Sequence, residues 1–151
     1  MVRKLPRGIP GLPDTCFVDS SAFYALIDAD DSHHRECVRL FTQLARSRAR
    51  LLTSNHVLFE TYSLLLTRLG RHMAARWLSR LQLHVERATA EDERQAVKIV
   101  LKYRDKHFSL VDASSFALME RLGLPSAVAF DPHFRQYGRF TVLTRPVPSG
   151  P

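Results

Sequence analysis

Four acids, Asp19, Glu60, Asp112 and Asp131, stand in settings from which they could do chemistry together. Asp19 ends a short β-prone apolar run from Thr15 to Val18, and Ser20, Ser21 and the helical pattern Ala22, Phe23, Leu26, Ile27 follow it. That order reads as strand, sharp turn and helix. In open α/β sheets ligands bind beyond the carboxyl ends of the strands, where an acid so placed can reach them. Asp131 repeats the arrangement after the apolar run from Ala127 to Phe130, and Asp112 opens a helix among the small or apolar residues Val111, Ala113, Ser114 and Ser115. Glu60 is the only acid between Glu36 and Glu86, and no lysine or arginine lies four positions away to pair with it. Each acid also has an ordinary reading: Asp19 as an N-cap, Ser109 and Asp112 as a capping box, Asp131 before Pro132 as a helix start, Glu60 on a solvated face. Recurrence of one pattern along the chain favours the chemical reading. Carboxylates brought together would drive protons onto one another unless a divalent cation lay between them. Oxygen donors without an assigned cysteine or histidine point to Mg²⁺ or Mn²⁺.

The elements that must position these acids follow from periodicity and punctuation. Short apolar strands are expected at 15–18, 51–53, 83–87, 127–130 and 140–143, with helices near 34–46, 56–69, 71–82, 90–104 and 110–122. Strands alternating with helices predict an α/β fold, a three-layer α/β/α sandwich around a five-stranded parallel sheet. Right-handed crossovers let the first three strands grow one way and return the fourth beside the first. Asp19 and Asp131 then meet at the topological switch point.

Composition bounds the rest. The 151 residues, 45% of them hydrophobic, suffice for one core. The charge of +7 favours an anionic partner, and Arg68, His72, Arg76 and Arg80 form a basic row that is either a solvated face or a phosphate contact. Cys16 and Cys37 lack metal-site spacing and read as small core residues of a reducing compartment. No apolar run approaches membrane-span length, so a soluble, cytoplasmic protein is expected. Six of the eight prolines fall outside 15–143, which sets the expected domain at 15–143 between a flexible basic arm, 1–14, and a flexible tail, 144–151.

The stretches Phe17-Val-Asp19-Ser-Ser-Ala-Phe, Asn55-His-Val-Leu-Phe-Glu60-Thr, Ser109-Leu-Val-Asp112-Ala-Ser-Ser and Phe130-Asp-Pro-His-Phe134 resemble, in this order, the motifs of the PIN domain and, within it, of VapC-like toxin ribonucleases. The resemblance covers about residues 15–143. It implies a Mg²⁺- or Mn²⁺-dependent endoribonuclease whose acids Asp19, Glu60, Asp112 and Asp131 hold the metal, an RNA substrate, a cognate antitoxin and a homodimer. Many relatives carry Thr or Ser two residues before the last acid, where this chain has Ala129. Ser20 and Ser115 are candidate hydrogen-bonding supports, and Tyr24 and Phe134 candidate stacking aromatics whose commoner place is the core. A receiver-like phosphoryl-transfer domain would add a second acid two residues after the first or a downstream lysine; Asp19-Ser-Ser lacks the former. A PIN nuclease of RNA processing without an antitoxin, and a degenerate RNA-binding PIN domain, are the remaining alternatives.

Overall fold

The computed structural model describes residues 11–145. Its strands are β1 (Thr15–Val18), β2 (Arg50–Ser54), β3 (His84–Glu86), β4 (Ser126–Val128) and β5 (Thr141–Val142). They pair in the order β3-β2-β1-β4-β5, every pair parallel. The helices are α1 (Ser20–Ile27), α2 (His34–Arg46), α3 (Asn55–Leu69), α4 (Arg71–Arg80), α5 (Ala90–Lys102), α6 (Leu110–Leu122) and α7 (His133–Tyr137). A parallel sheet needs cover on both faces, so its central strand should be apolar on both. In β1, Cys16, Phe17 and Val18 are all fully buried.

The expected fold class is the observed one, and the switch point lies where the crossover argument puts it. Phe17 stands opposite Leu52 of β2 and Ala127 of β4, and beyond the strand's end Asp19 N–H still donates to the Val128 carbonyl at 3.0 Å. The crevice between the carboxyl ends of β1 and β4 is therefore opened by Asp19 on one side and by the segment leading to Asp131 on the other.

Helices enter the core by their patterned faces. α3 buries Val57, Thr61 and Leu65, while α6 is buried from Asp112 through Met119, with Ser109 and Asp112 forming a capping box at its start and left-handed Gly123 closing its end. Behind the crevice, Phe116 stacks on Tyr137 with centroids 4.3 Å apart and meets Phe134 edge-on at 5.0 Å. Such aromatic packing gives the ends of α6 and α7 a rigid backing.

Three details depart from the expectations. β4 stops at Val128, two residues early, so Phe130 leaves the sheet's alternation. Pro132, not Asp131, is the N-cap of α7, although the Asp131 carboxylate just before it still accepts from the first helical N–H, that of His133, at 2.8 Å. The packed body also runs past 15–143: Leu12 packs on the core, the Asp14 carbonyl accepts from Arg50 N–H at 2.8 Å, and buried Thr144 donates its hydroxyl to the Ala129 carbonyl at 2.6 Å. Residues 1–10 and 146–151, which hold most of the expected arm and tail, lie outside the described residues. Both cysteines are buried and unpaired, and no helix among the described residues is long and apolar enough to cross a membrane.

Candidate functional site

Asp19 is held by the turn it starts. As N-cap of α1 it accepts on Oδ2 from Ser21 N–H at 3.1 Å and from Ser21 Oγ at 2.6 Å. Its other oxygen, Oδ1, is buried without a hydrogen-bond partner among the described residues. A carboxylate oxygen left so is costly unless it is protonated or meets a cation. Burial above all pushes the Asp19 carboxyl up to about 7; the Ser21 bonds pull it down, and repulsion from Asp112 and Glu60 adds to the rise.

The other three acids surround it from separate elements. Glu60, on the second turn of α3, accepts from Ser20 Oγ at 2.8 Å. Burial raises its carboxyl above the ordinary range against that hydrogen bond, and Asp112 and Asp131 repel it further. Asp131 is raised chiefly by burial and also by Asp112, while the His133 N–H, at 2.8 Å, and the His133 charge oppose the rise. Asp112 uses Oδ2 to close its capping box, accepting from Ser109 N–H at 3.0 Å. The structure thus joins Asp19, Glu60, Asp112 and Asp131 in one repulsive group, and the capping and cluster roles coexist in Asp19 and Asp112.

His133 is the residue the sequence argument missed. Its Nδ1 lies 2.6 Å from Asp112 Oδ2 and 3.0 Å from Asp131 Oδ1. Both neighbours are acceptors, so the ring proton belongs on Nδ1. Asp112, Asp131 and His133 form a set whose donor atoms lie within 4.8 Å of one another, whereas Asp19 and Glu60 stand outside that set. The assumption that no histidine accompanies the acids is corrected: one turn of α7 brings in a nitrogen that reaches a helix start 21 residues earlier in the chain.

Several smaller expectations resolve here as well. Ser115 Oγ donates to the Val111 carbonyl of its own helix rather than to an acid. Ser21, which had no assigned role, ties the corner together: besides donating to Asp19, its Oγ accepts from Phe130 N–H at 3.0 Å and Asp131 N–H at 3.3 Å. That corner therefore has a hydroxyl although position 129 is alanine. Phe134 is fully buried against Phe17 and Phe116 and is core, while Tyr24 borders a cleft of about 390 Å³ that Glu60 and Asp131 also line. The basic row divides, for Arg68 lines this cleft whereas Arg76 and Arg80 line a separate apolar groove with Phe23, Trp77 and Leu83.

Buried oxygens that repel one another, one of them unpartnered, fit a hard divalent cation and fit poorly with any other resident group. The fold is shared with known proteins. The PIN domain family matches residues 16–140. The 23S rRNA-specific endonuclease VapC20 of two Mycobacterium tuberculosis strains, CDC 1551 / Oshkosh and H37Rv, is 40% identical over 126 residues, spanning 81% of this chain and 93% of VapC20. The crystal structure of M. tuberculosis VapC20, described as a sarcin-ricin loop cleaving toxin, superposes with a TM-score of 0.77 at 38% identity over 84% of this chain and 98% of that one. A matched family over nearly the whole folded body, and a relative that is similar end to end, mean that this chain belongs to the PIN domain family, among its VapC-like toxin endoribonucleases.

Proposed function

We propose that this endoribonuclease is metal-dependent, that Asp19, Glu60, Asp112 and Asp131 are its catalytic and metal-holding residues, and that it cuts a loop of ribosomal RNA as the toxin of a toxin-antitoxin pair. The observation that carries the metal is the buried, unpartnered Asp19 Oδ1 amid three further acids. The RNA target rests on the similarity to VapC20.

A bound Mg²⁺ or Mn²⁺ supplies an activated water and offsets charge building on the phosphate. The chain's own residues do the positioning. Ser21 fixes one oxygen of Asp19 and leaves Oδ1 for the ion, and Ser20 fixes Glu60 from the adjacent position. His133 holds a proton on Nδ1 between Asp112 and Asp131, so it orients both carboxylates. The +7 charge of the chain draws RNA towards a cleft whose floor is acidic.

For the partners, the groove of about 540 Å³ lined by Phe23, Met73, Trp77 and Leu83 together with Arg76 and Arg80 supports docking of an antitoxin segment with apolar and acidic side chains. Leu101 and Leu110 are 67% and 58% exposed on neighbouring helices and support a homodimer.

The test is cleavage of ribosomal RNA mapped by primer extension, with wild type and Asp19→Asn in Mg²⁺, in Mn²⁺ and in EDTA. A discrete cut that needs both the metal and Asp19 is expected, and coexpression of the protein encoded directly upstream should suppress it. Cleavage that survives EDTA would end the metal reading.

A further inference from the structure

We propose that the cleft beside the acids contains a nucleotide subsite, in which the stacked rings of His33 and Phe130 receive an unpaired base next to the cleaved phosphodiester and Arg68 receives the neighbouring phosphate; this deepens the endoribonuclease reading and rests on it. The cleft, about 390 Å³, is lined by His33, Phe130 and Arg68 as well as by Glu60 and Asp131. His33 and Phe130 lie with centroids 4.7 Å apart and planes 23° from parallel. Two part-exposed rings stacked face to face brace one another and leave an outer ring face, on which the face of any base can lie.

The platform is fastened to the reacting centre by a single hydroxyl. Ser21 Oγ donates to Asp19 at 2.6 Å and accepts from the backbone N–H of Phe130 at 3.0 Å. The ring is thereby held at a constant offset from the acid. Phe130, beyond the end of β4 at Val128, packs against the core but stays only partly buried, and His33 occupies the N-cap position of α2 without making a side-chain cap.

Arg68 completes the arrangement. Its guanidinium lies 5.3 Å over the Tyr24 ring, and Tyr24 is itself anchored by its hydroxyl to Asp28 at 2.7 Å. Arg68 makes no ion pair with a carboxylate among the described residues. Its charge reaches Asp28, the partner of the Tyr24 hydroxyl, but no carboxylate among the described residues grips the guanidinium, which leaves N–H donors of its fork for a phosphate. On the rim of an acidic cleft, that is the group an RNA backbone needs.

The test measures binding apart from cleavage. Labelled single-stranded RNA containing the mapped cut site, and the same sequence annealed into a duplex, are titrated by fluorescence anisotropy onto Asp112→Asn protein that carries in addition Phe130→Leu, His33→Ala, His33→Phe or Arg68→Gln. We expect the single strand to bind about tenfold more weakly with Phe130→Leu or His33→Ala, His33→Phe to restore it, and the duplex to be indifferent to all three. Arg68→Gln should reduce the slope of log affinity against log salt by about 0.7. In otherwise unsubstituted protein, the ring variants should raise KM more than they lower kcat. Single-strand affinity within twofold of the parent for both His33→Ala and Phe130→Leu overturns the subsite. If Phe130→Leu lowers the melting temperature, His33→Ala decides, because the His33 ring makes no hydrogen bond among the described residues. Absence of cleavage by wild type with Mg²⁺ and Mn²⁺, combined with ring-dependent RNA binding, would reject the nuclease reading and leave the subsite standing.

Discussion

At the scale of single residues, Asp19 carries the sharpest conflict between fold and charge. Its carboxyl has an ordinary value near 3.8 and is raised to about 7 in the fold, chiefly by burial. Below about pH 4 it is protonated whether the chain is folded or not, and its contribution to stability is complete. Between those two values the unfolded chain gives up the proton freely while the fold retains it, so stability is lost as pH rises through about 7. Metal-free protein in EDTA should therefore melt at a lower temperature at pH 8 than at pH 5.5. Asp19→Asn should melt no lower than wild type at pH 8, since asparagine can still cap α1 through its side-chain oxygen, and should shrink the pH dependence. Thermal melts of both proteins at the two pH values check this; a variant that melts well below wild type at pH 8 would make Asp19 a structural cap first. His133 acts in the opposite sense to the acids. Its Nδ1 proton separates Asp112 from Asp131, so His133→Ala should lower the metal-free melting temperature, and added Mn²⁺ should recover part of the loss.

At the scale of elements, the site is assembled near ends: the end of β1, the second turn of α3, the first turns of α6 and α7, and the turn after β4. Ser21 joins two of these ends with three hydrogen bonds through one hydroxyl. Ser21→Ala should cost about 1–3 kcal/mol in denaturant melts, because Asp19 loses a donor and the Phe130 N–H its acceptor. It should also reduce cleavage while Ser21→Thr retains most of it. Gly70, between α3 and α4, has φ +85 and ψ 170, a conformation close to exclusive to glycine. An added Cβ would meet no atom within 4 Å, so the cost of Gly70→Ala, about 1–3 kcal/mol, is backbone strain alone.

The same scale explains what could be read from the chain. Strand and helix order followed from apolar periodicity, and the pairing of β1 with β4 followed from crossover handedness, because both are local or topological rules. The four acids were visible because each sits at a punctuation point or in an apolar helix. His133 was hidden: a histidine at the first position of a five-residue helix has no periodic signature, and its contact with Asp112 exists only once α6 and α7 share the Phe116, Phe134 and Tyr137 cluster. Phe130 was masked by an apolar run that seemed to extend the strand, and Phe134, two residues after the proline, took the core position instead.

At the scale of the whole molecule, a chain of charge +7 concentrates four acids in one crevice, and these two facts are complementary. On the proposed function, the basic surface would gather RNA while the crevice holds a cation that makes the phosphate tolerable there. Ion binding to the native state alone must then stabilise the entire fold. At ten times Kd the gain is about 1.4 kcal/mol, or about 3–6 °C in melting temperature for a domain of this size. Mg²⁺ and Mn²⁺ should each produce that shift in wild type. Mn²⁺ should do so at the lower concentration, because Mg²⁺ demands near-ideal octahedral geometry and gives up its waters reluctantly. Asp112→Asn should remove most of the shift and Asp131→Asn only part, since Asp112 is the more deeply buried and borders all three other acids electrostatically, whereas Asp131 acts on Glu60 and the backbone N–H of His133. Differential scanning fluorimetry over a metal titration separates the two variants. Equal losses would make Asp131 a ligand of the same rank as Asp112, and a wild type whose melting temperature ignores millimolar Mg²⁺ and Mn²⁺ would remove the cation from the mechanism.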